Sequence, residues 1–231
     1  MYIIKLYVWA NLSRKGSSDI FHNFFKIYVL YYVLSFIATF FIVIVDKIVI
    51  YVLNYESVIN SHYSTDLFIK RVGLAEAIVL ITISGPIFEE LAFRLILIPS
   101  RFKISLSTSS LLFLLICLLW TVNNFETYII CFFICLVFFT IIYCFLNQIF
   151  INKLIKNRFT LFIVSSVLFG MIHLFNYSDF KYELIIIYPI YVLPQIIMGF
   201  LLGAIRIKHG FVWTVLLHIL INGTLIWYKL F

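Results

Sequence analysis

Charge-free apolar stretches long enough to cross a bilayer recur along nearly the whole chain, and they limit what it can fold into. A hydrocarbon core of about 30 Å takes roughly 20 apolar residues in a helix. Windows of that kind fall near residues 27–45, 74–98, 104–122, 127–150, 159–177, 184–205 and 210–228. The expected fold is therefore all-α, a polytopic integral membrane protein of about seven transmembrane helices. Composition agrees, with 64% apolar and only 12% charged residues in 231, against about 25% charged in soluble domains. That balance leaves no soluble domain to assign. Residues 1–26 read as an N-terminal cytoplasmic or interfacial segment and 27–231 as one transmembrane domain.

The net charge of +7 does not indicate a nucleic-acid partner, because the basic residues occupy short loops between apolar runs and form no stripe or arm. They serve better as topology signals. With the N-terminus inside, the inner segments hold Lys5, Arg14, Lys15, Lys26, Arg101, Lys103, Lys153, Lys156, Arg158, Arg206 and Lys208, and the outer ones only Lys47, Lys70, Arg71, Lys181 and Lys229. This excess predicts a cytoplasmic N-terminus. The Ile, Phe, Asn and Lys usage points to a bacterium, and so to its inner membrane. Ile48 to Leu53 is expected to re-enter the interface, Pro189 and Pro194 to kink the sixth span, and Cys117, Cys131, Cys135 and Cys144 to pack as small apolar groups.

Ionisable groups within hydrocarbon are costly unless paired or wetted, and so mark functional sites. Here they form three clusters: Phe88-Glu89-Glu90-Leu91-Ala92-Phe93-Arg94 in the second span, Phe169 to His173 in the fifth, and His218 to Asn222 in the seventh. Glu90 and Arg94 stand four apart on a helix and can neutralise each other. Glu89 points about 100° away, gains no such partner, and is the candidate base for activating water. His218 and Asn222 share a face. Asn is a poor metal ligand but a good donor to a developing oxyanion. Helical rise places Glu89, His173 and His218 at similar depth. Singly, such a His or Asn is more often packing glue, and Glu76 reads as a boundary residue.

These motifs, EExxxR, FxxxH and HxxxN in that order on separate helices, resemble the CPBP family, which contains type II CAAX prenyl endopeptidases and bacterial Abi-type proteases. The resemblance covers residues 72–231 and extends to Gly85-Pro86 before the Glu pair and to Gly199 and Gly203 ahead of Arg206. It implies a CAAX-protease-type helical bundle and an intramembrane endopeptidase acting on membrane-embedded or lipid-linked peptides. By resemblance, Glu89 and His173 would activate water, His218 and Asn222 would stabilise the oxyanion, and Glu90 and Arg94 would brace the site. Family members are often named metalloproteases. The residues alone do not separate a water held directly by Glu and His, toward which the reading leans, from one bound to zinc on Glu89, His173 and His218. One departure is an extra helical hairpin at about 101–156, between the first two motifs. The alternative function is a non-catalytic membrane interaction protein on the same scaffold, such as a bacteriocin self-immunity factor or a sensor-kinase modulator.

Overall fold

A computed structural model describes residues 20–61, 69–70, 72–119, 125–177 and 180–230. The described residues are helices and short connections, without a strand. Helix α1 spans Ile20–Tyr51, about 48 Å at 1.5 Å per residue, so the expected 27–45 span lengthens at both ends. Ile48 to Tyr51 continue this helix, and Val52 and Leu53 form the turn that follows it. Near its end Asp46 is buried and accepts from Ser57 Oγ at 2.7 Å, from Val58 N at 2.9 Å and from Tyr191 OH at 3.0 Å. One carboxylate thus ties the following loop and a distant tyrosine to α1.

The second span is one helical path in three pieces: α2 (Leu74–Val79), a π-helical turn over Leu80–Ser84, and α3 (Gly85–Arg94). Then come α4 (Arg101–Leu119) and α5 (Phe125–Phe145), which pack against each other as the expected hairpin. Asn123 and Asn124 of its turn lie outside the described residues. Helix α5 stops short of residue 150 because Asn147 caps a new helix, α6 (Gln148–Lys156), by accepting from Phe150 N at 2.8 Å. The axis turns there by 93°, and α6 buries Ile151 while exposing Lys153 and Lys156, the pattern of an interfacial helix.

Helix α7 (Arg158–Met171) ends in a 3₁₀ turn over Ile172–Asn176. The two prolines break the sixth span where a kink was expected, since each sits in the first turn of a new helix, where its missing N–H costs nothing. These are α8 (Tyr188–Tyr191) and α9 (Leu193–His209), followed by α10 (Phe211–Leu230). His22 and His209 belong to α1 and α9. The chain is a multi-pass membrane protein. Among the described residues four helices are long and apolar enough to span, five if the bent α5–α6 pair is one. The expected count of about seven is not confirmed among the described residues, where the second and sixth spans are interrupted as described.

Among the described residues the most extensive helix pairing is α7 on α9. A Cβ on Gly199 would collide with the Ser166 carbonyl, and one on Gly170 would lie 2.8 Å from Ile196 N. Small residues therefore let two backbones touch, the usual route to tight association where lipid offers no hydrophobic drive. Ser166 Oγ adds a bond to Gly199 O at 3.1 Å. Around this pair the core gathers Tyr31 of α1, Phe93 of α3, Phe169 of α7, Leu202 and Ile205 of α9, and Leu217 and Ile221 of α10.

Candidate active site

Helix α3 is short and ends inside the protein, so its last carbonyls need partners that water cannot supply. Three neighbouring elements provide them. Ser107 of α4 donates to Ala92 O, Ser165 of α7 to Phe93 O, and Arg206 Nε of α9 to Arg94 O at 3.0 Å. The helix carrying both glutamates is thereby held from three sides.

On it, Glu90 and Arg94 are fully buried and face each other, with Arg94 Nε 3.5 Å from Glu90 Oε2. The other Glu90 oxygen lies 2.9 Å from Nδ1 of His218, which is also fully buried. The sequence reading paired Glu90 with Arg94 alone; the structure makes it a three-member group. The second nitrogen of the same imidazole, Nε2, stands 3.6 Å from Glu89 Oε2. His218 therefore lies between the two carboxylates, one sealed and one with a partly exposed side chain.

Phe169 organises the remainder. It is fully buried, and its ring carries the Arg94 guanidinium at 4.0 Å, a stabilising cation–π contact. Its edges meet Phe93, His173 and His218 at centroid distances of 5.6, 5.1 and 5.7 Å. Phe169 also supplies a backbone carbonyl 2.8 Å from His173 Nδ1. Donation from Nδ1–H fixes the neutral tautomer and leaves Nε2 as the basic nitrogen. Glu89, His218 and Arg94 lie within electrostatic reach of that ring.

Asn222 is directed elsewhere: its Nδ2 donates to Ile81 O at 3.0 Å. The acceptor exists because of Gly85-Pro86. In the π turn Gly85 N bonds Leu80 O, so the usual i+4 donor for Ile81 O is diverted. The i+5 donor would be Pro86, which has no N–H. Gly85 is required there, since a Cβ would lie 2.9 Å from Leu80 O. Asn222 fills the orphaned carbonyl with one amide hydrogen and keeps a second. The sequence reading missed Ile81, although the proline was the signal for it. It also missed Ser107 and Ser165, which an apolar helix with scattered serines does not distinguish from packing.

Zinc on Glu89, His173 and His218 does not fit this arrangement. Among the described residues no group of three or more His, Cys, Asp or Glu side chains could hold a metal ion. The four cysteines are unpaired thiols, Cys131 and Cys135 buried and Cys144 exposed.

The family model for type II CAAX prenyl endopeptidase Rce1-like proteins matches residues 144–224. The matched region contains His173, His218 and Asn222 and begins after the Glu89-Glu90-Arg94 cluster, so it supports the CPBP/CAAX protease resemblance from the half of the site that α7 and α10 supply. No curated protein and no solved structure matches the chain.

Proposed function

We propose that the chain is an intramembrane endopeptidase that hydrolyses peptide bonds of membrane-embedded or lipid-linked substrates through a water activated by Glu89 and His173. What supports this most is the separation of the two carboxylates: Glu90 is fully buried with Arg94 at one oxygen and His218 at the other, while the Glu89 side chain is partly exposed and has only His218 Nε2 near it, at 3.6 Å. A carboxylate so placed takes a proton from water as the oxygen attacks the scissile carbonyl. His173 Nε2 orients that water. The tetrahedral oxyanion is met by the remaining Asn222 amide hydrogen and by the His218 ring, which Glu90 holds in place through Nδ1. Collapse breaks the C–N bond, and the proton held by Glu89 passes to the leaving amine.

A non-catalytic scaffold, such as a self-immunity factor or sensor-kinase modulator, draws on the use of Asn222 as a brace for the π turn. Glu89→Gln decides between them. It preserves shape and the Glu90–Arg94 pair, so loss of about 10²–10⁴ in peptide cleavage, read as substrates accumulating in the membrane peptidome, supports the enzyme. Full complementation of a deletion by Glu89→Gln would leave the scaffold standing.

For localisation we propose a bacterial inner membrane with the N-terminus cytoplasmic. Cysteines at Lys103, Lys156 and Lys208 in a cysteine-free background should then resist an impermeant thiol reagent in intact cells. Labelling at Lys156 would reverse the orientation.

A further inference from the structure

Arg206, near the end of α9, is a buried cation that the site only partly uses. Its Nε–H donates to the Arg94 carbonyl at 3.0 Å, its guanidinium stands over the Phe211 ring at 5.5 Å, and the residue is 5% exposed. Its two Nη groups hold no hydrogen bond among the described residues and, unlike the sealed nitrogens of Arg94, stay open to the surface. Glu90 lies within electrostatic reach, but its oxygens already face Arg94 and His218. A buried guanidinium without its own counter-charge is unfavourable. A second cation adds to the imbalance: Lys103, half-buried in the first turn of α4, lies within electrostatic reach of Arg206. Neither joins an ion pair among the described residues.

The surroundings call for an anion at this point. Residues 95–103, 148–158 and 200–211 include Lys and Arg but no Asp or Glu. Helix α4 begins here, with Ser100 Oγ accepting from Lys103 N at 3.3 Å, so the positive end of its dipole adds to the two side chains. The level is that of lipid headgroups. Arg101 lies over the Tyr143 ring at 6.0 Å, which brings the start of α4 to the end of α5, where the axis turns by 93° into α6. Beside these cations Phe102 and Phe145 are 55% and 82% exposed. A phospholipid satisfies both kinds of surface at once, and free phosphate only the first.

We infer that this end of the bundle binds an anionic phospholipid, its phosphate held between the Arg206 Nη groups and Lys103 and its acyl chains lying along the apolar residues beside them. The guanidinium fork suits two phosphate oxygens, and basic pockets between membrane helices take headgroups in this way. The inference does not depend on the protease reading. It does connect a lipid to the candidate site, because the side chain that takes the phosphate also holds the last carbonyl of α3.

The test is lipid retention by native mass spectrometry, with the full chain in detergent titrated with phosphatidylglycerol or with phosphatidylcholine of the same acyl chains. One Lys or Arg at an anionic headgroup is worth about 5-fold in affinity. Wild type should therefore prefer phosphatidylglycerol by about 10-fold or more, and Lys103→Gln should cut that preference about 5-fold. Arg206→Gln should remove it, but that change also releases the Arg94 carbonyl. Lys103→Gln leaves the carbonyl bonded and is the deciding variant. Lys208→Gln is the control, since Lys208 Nζ turns to Asn23 Oδ1 at 3.4 Å, and it should leave the preference unchanged. Equal retention of the two lipids overturns the inference, as does an equal loss in Lys103→Gln and Lys208→Gln, which would mean diffuse attraction to a basic surface. Displacement of phosphatidylglycerol by millimolar inorganic phosphate would also overturn it and assign the site to a free anion.

Discussion

The helices that meet at Phe169 and the α4–α5 hairpin are all drawn from apolar runs of the chain, yet they are packed on different principles. In the first region backbones touch across Gly170 and Gly199, and buried Glu90, Arg94 and His218 are matched to one another. In the second, α5 turns Phe132, Phe133, Ile130 and Val137 outward, each more than half exposed. In a bilayer that exposure is to lipid and costs nothing. Apolar content therefore says where a helix can reside, and the small and polar residues say where it must be placed accurately.

The strongest way to break this contrast is to remove one member of the buried charge group. Arg94→Gln or Glu90→Gln should each cost about 3–5 kcal/mol by leaving an uncompensated charge, measured by denaturant titration in detergent. The double change should cost less than the sum, and additive losses would show that the pair does not interact. Next, Gly199→Val should cost about 1–3 kcal/mol or more, because the added atoms meet the Ser166 backbone, which cannot yield as a side chain would. Thermal aggregation in detergent checks it. A comparable loss of about 1–3 kcal/mol is expected for Asn222→Ala, which orphans the Ile81 carbonyl. If Asn222 is also an oxyanion donor, the rate should fall about 10²–10³ at temperatures where the variant remains folded. At the other extreme, Phe133→Ala should move stability by no more than about 0.5 kcal/mol. A large loss there would mean that the outer face of α5 is covered by another chain.

How much of this was legible in the residues varies with the physics involved. Periodicity and charge gave the helices, the hairpin and the facing of Glu90 by Arg94, all of which depend on neighbours in sequence. The depth of each polar residue within its span gave the convergence of α3, α7 and α10. What was not legible depends on partners far apart in the chain: His218 between both carboxylates, Asp46 holding Tyr191, and three donors on the last carbonyls of α3. Pro189 and Pro194 were visible, but whether a proline kinks a helix or starts a new one depends on whether the carbonyls before it find other donors. The division of the second span at Gly85-Pro86 followed the same logic and was missed.

That π turn also has a consequence for the direction in which the glutamates point. A π turn amounts to one residue inserted into an α-helix, and one residue is about 100° of azimuth. The five residues Leu80–Ser84 therefore act as a phase setting between two helical segments, turning α3 about its axis relative to α2. Deleting one residue there would restore an even helix and rotate either segment by that angle. If α2 kept its place, Glu89 would leave His218 and another side chain would face it. The aim of the chemistry is thus set by a count of residues upstream of it.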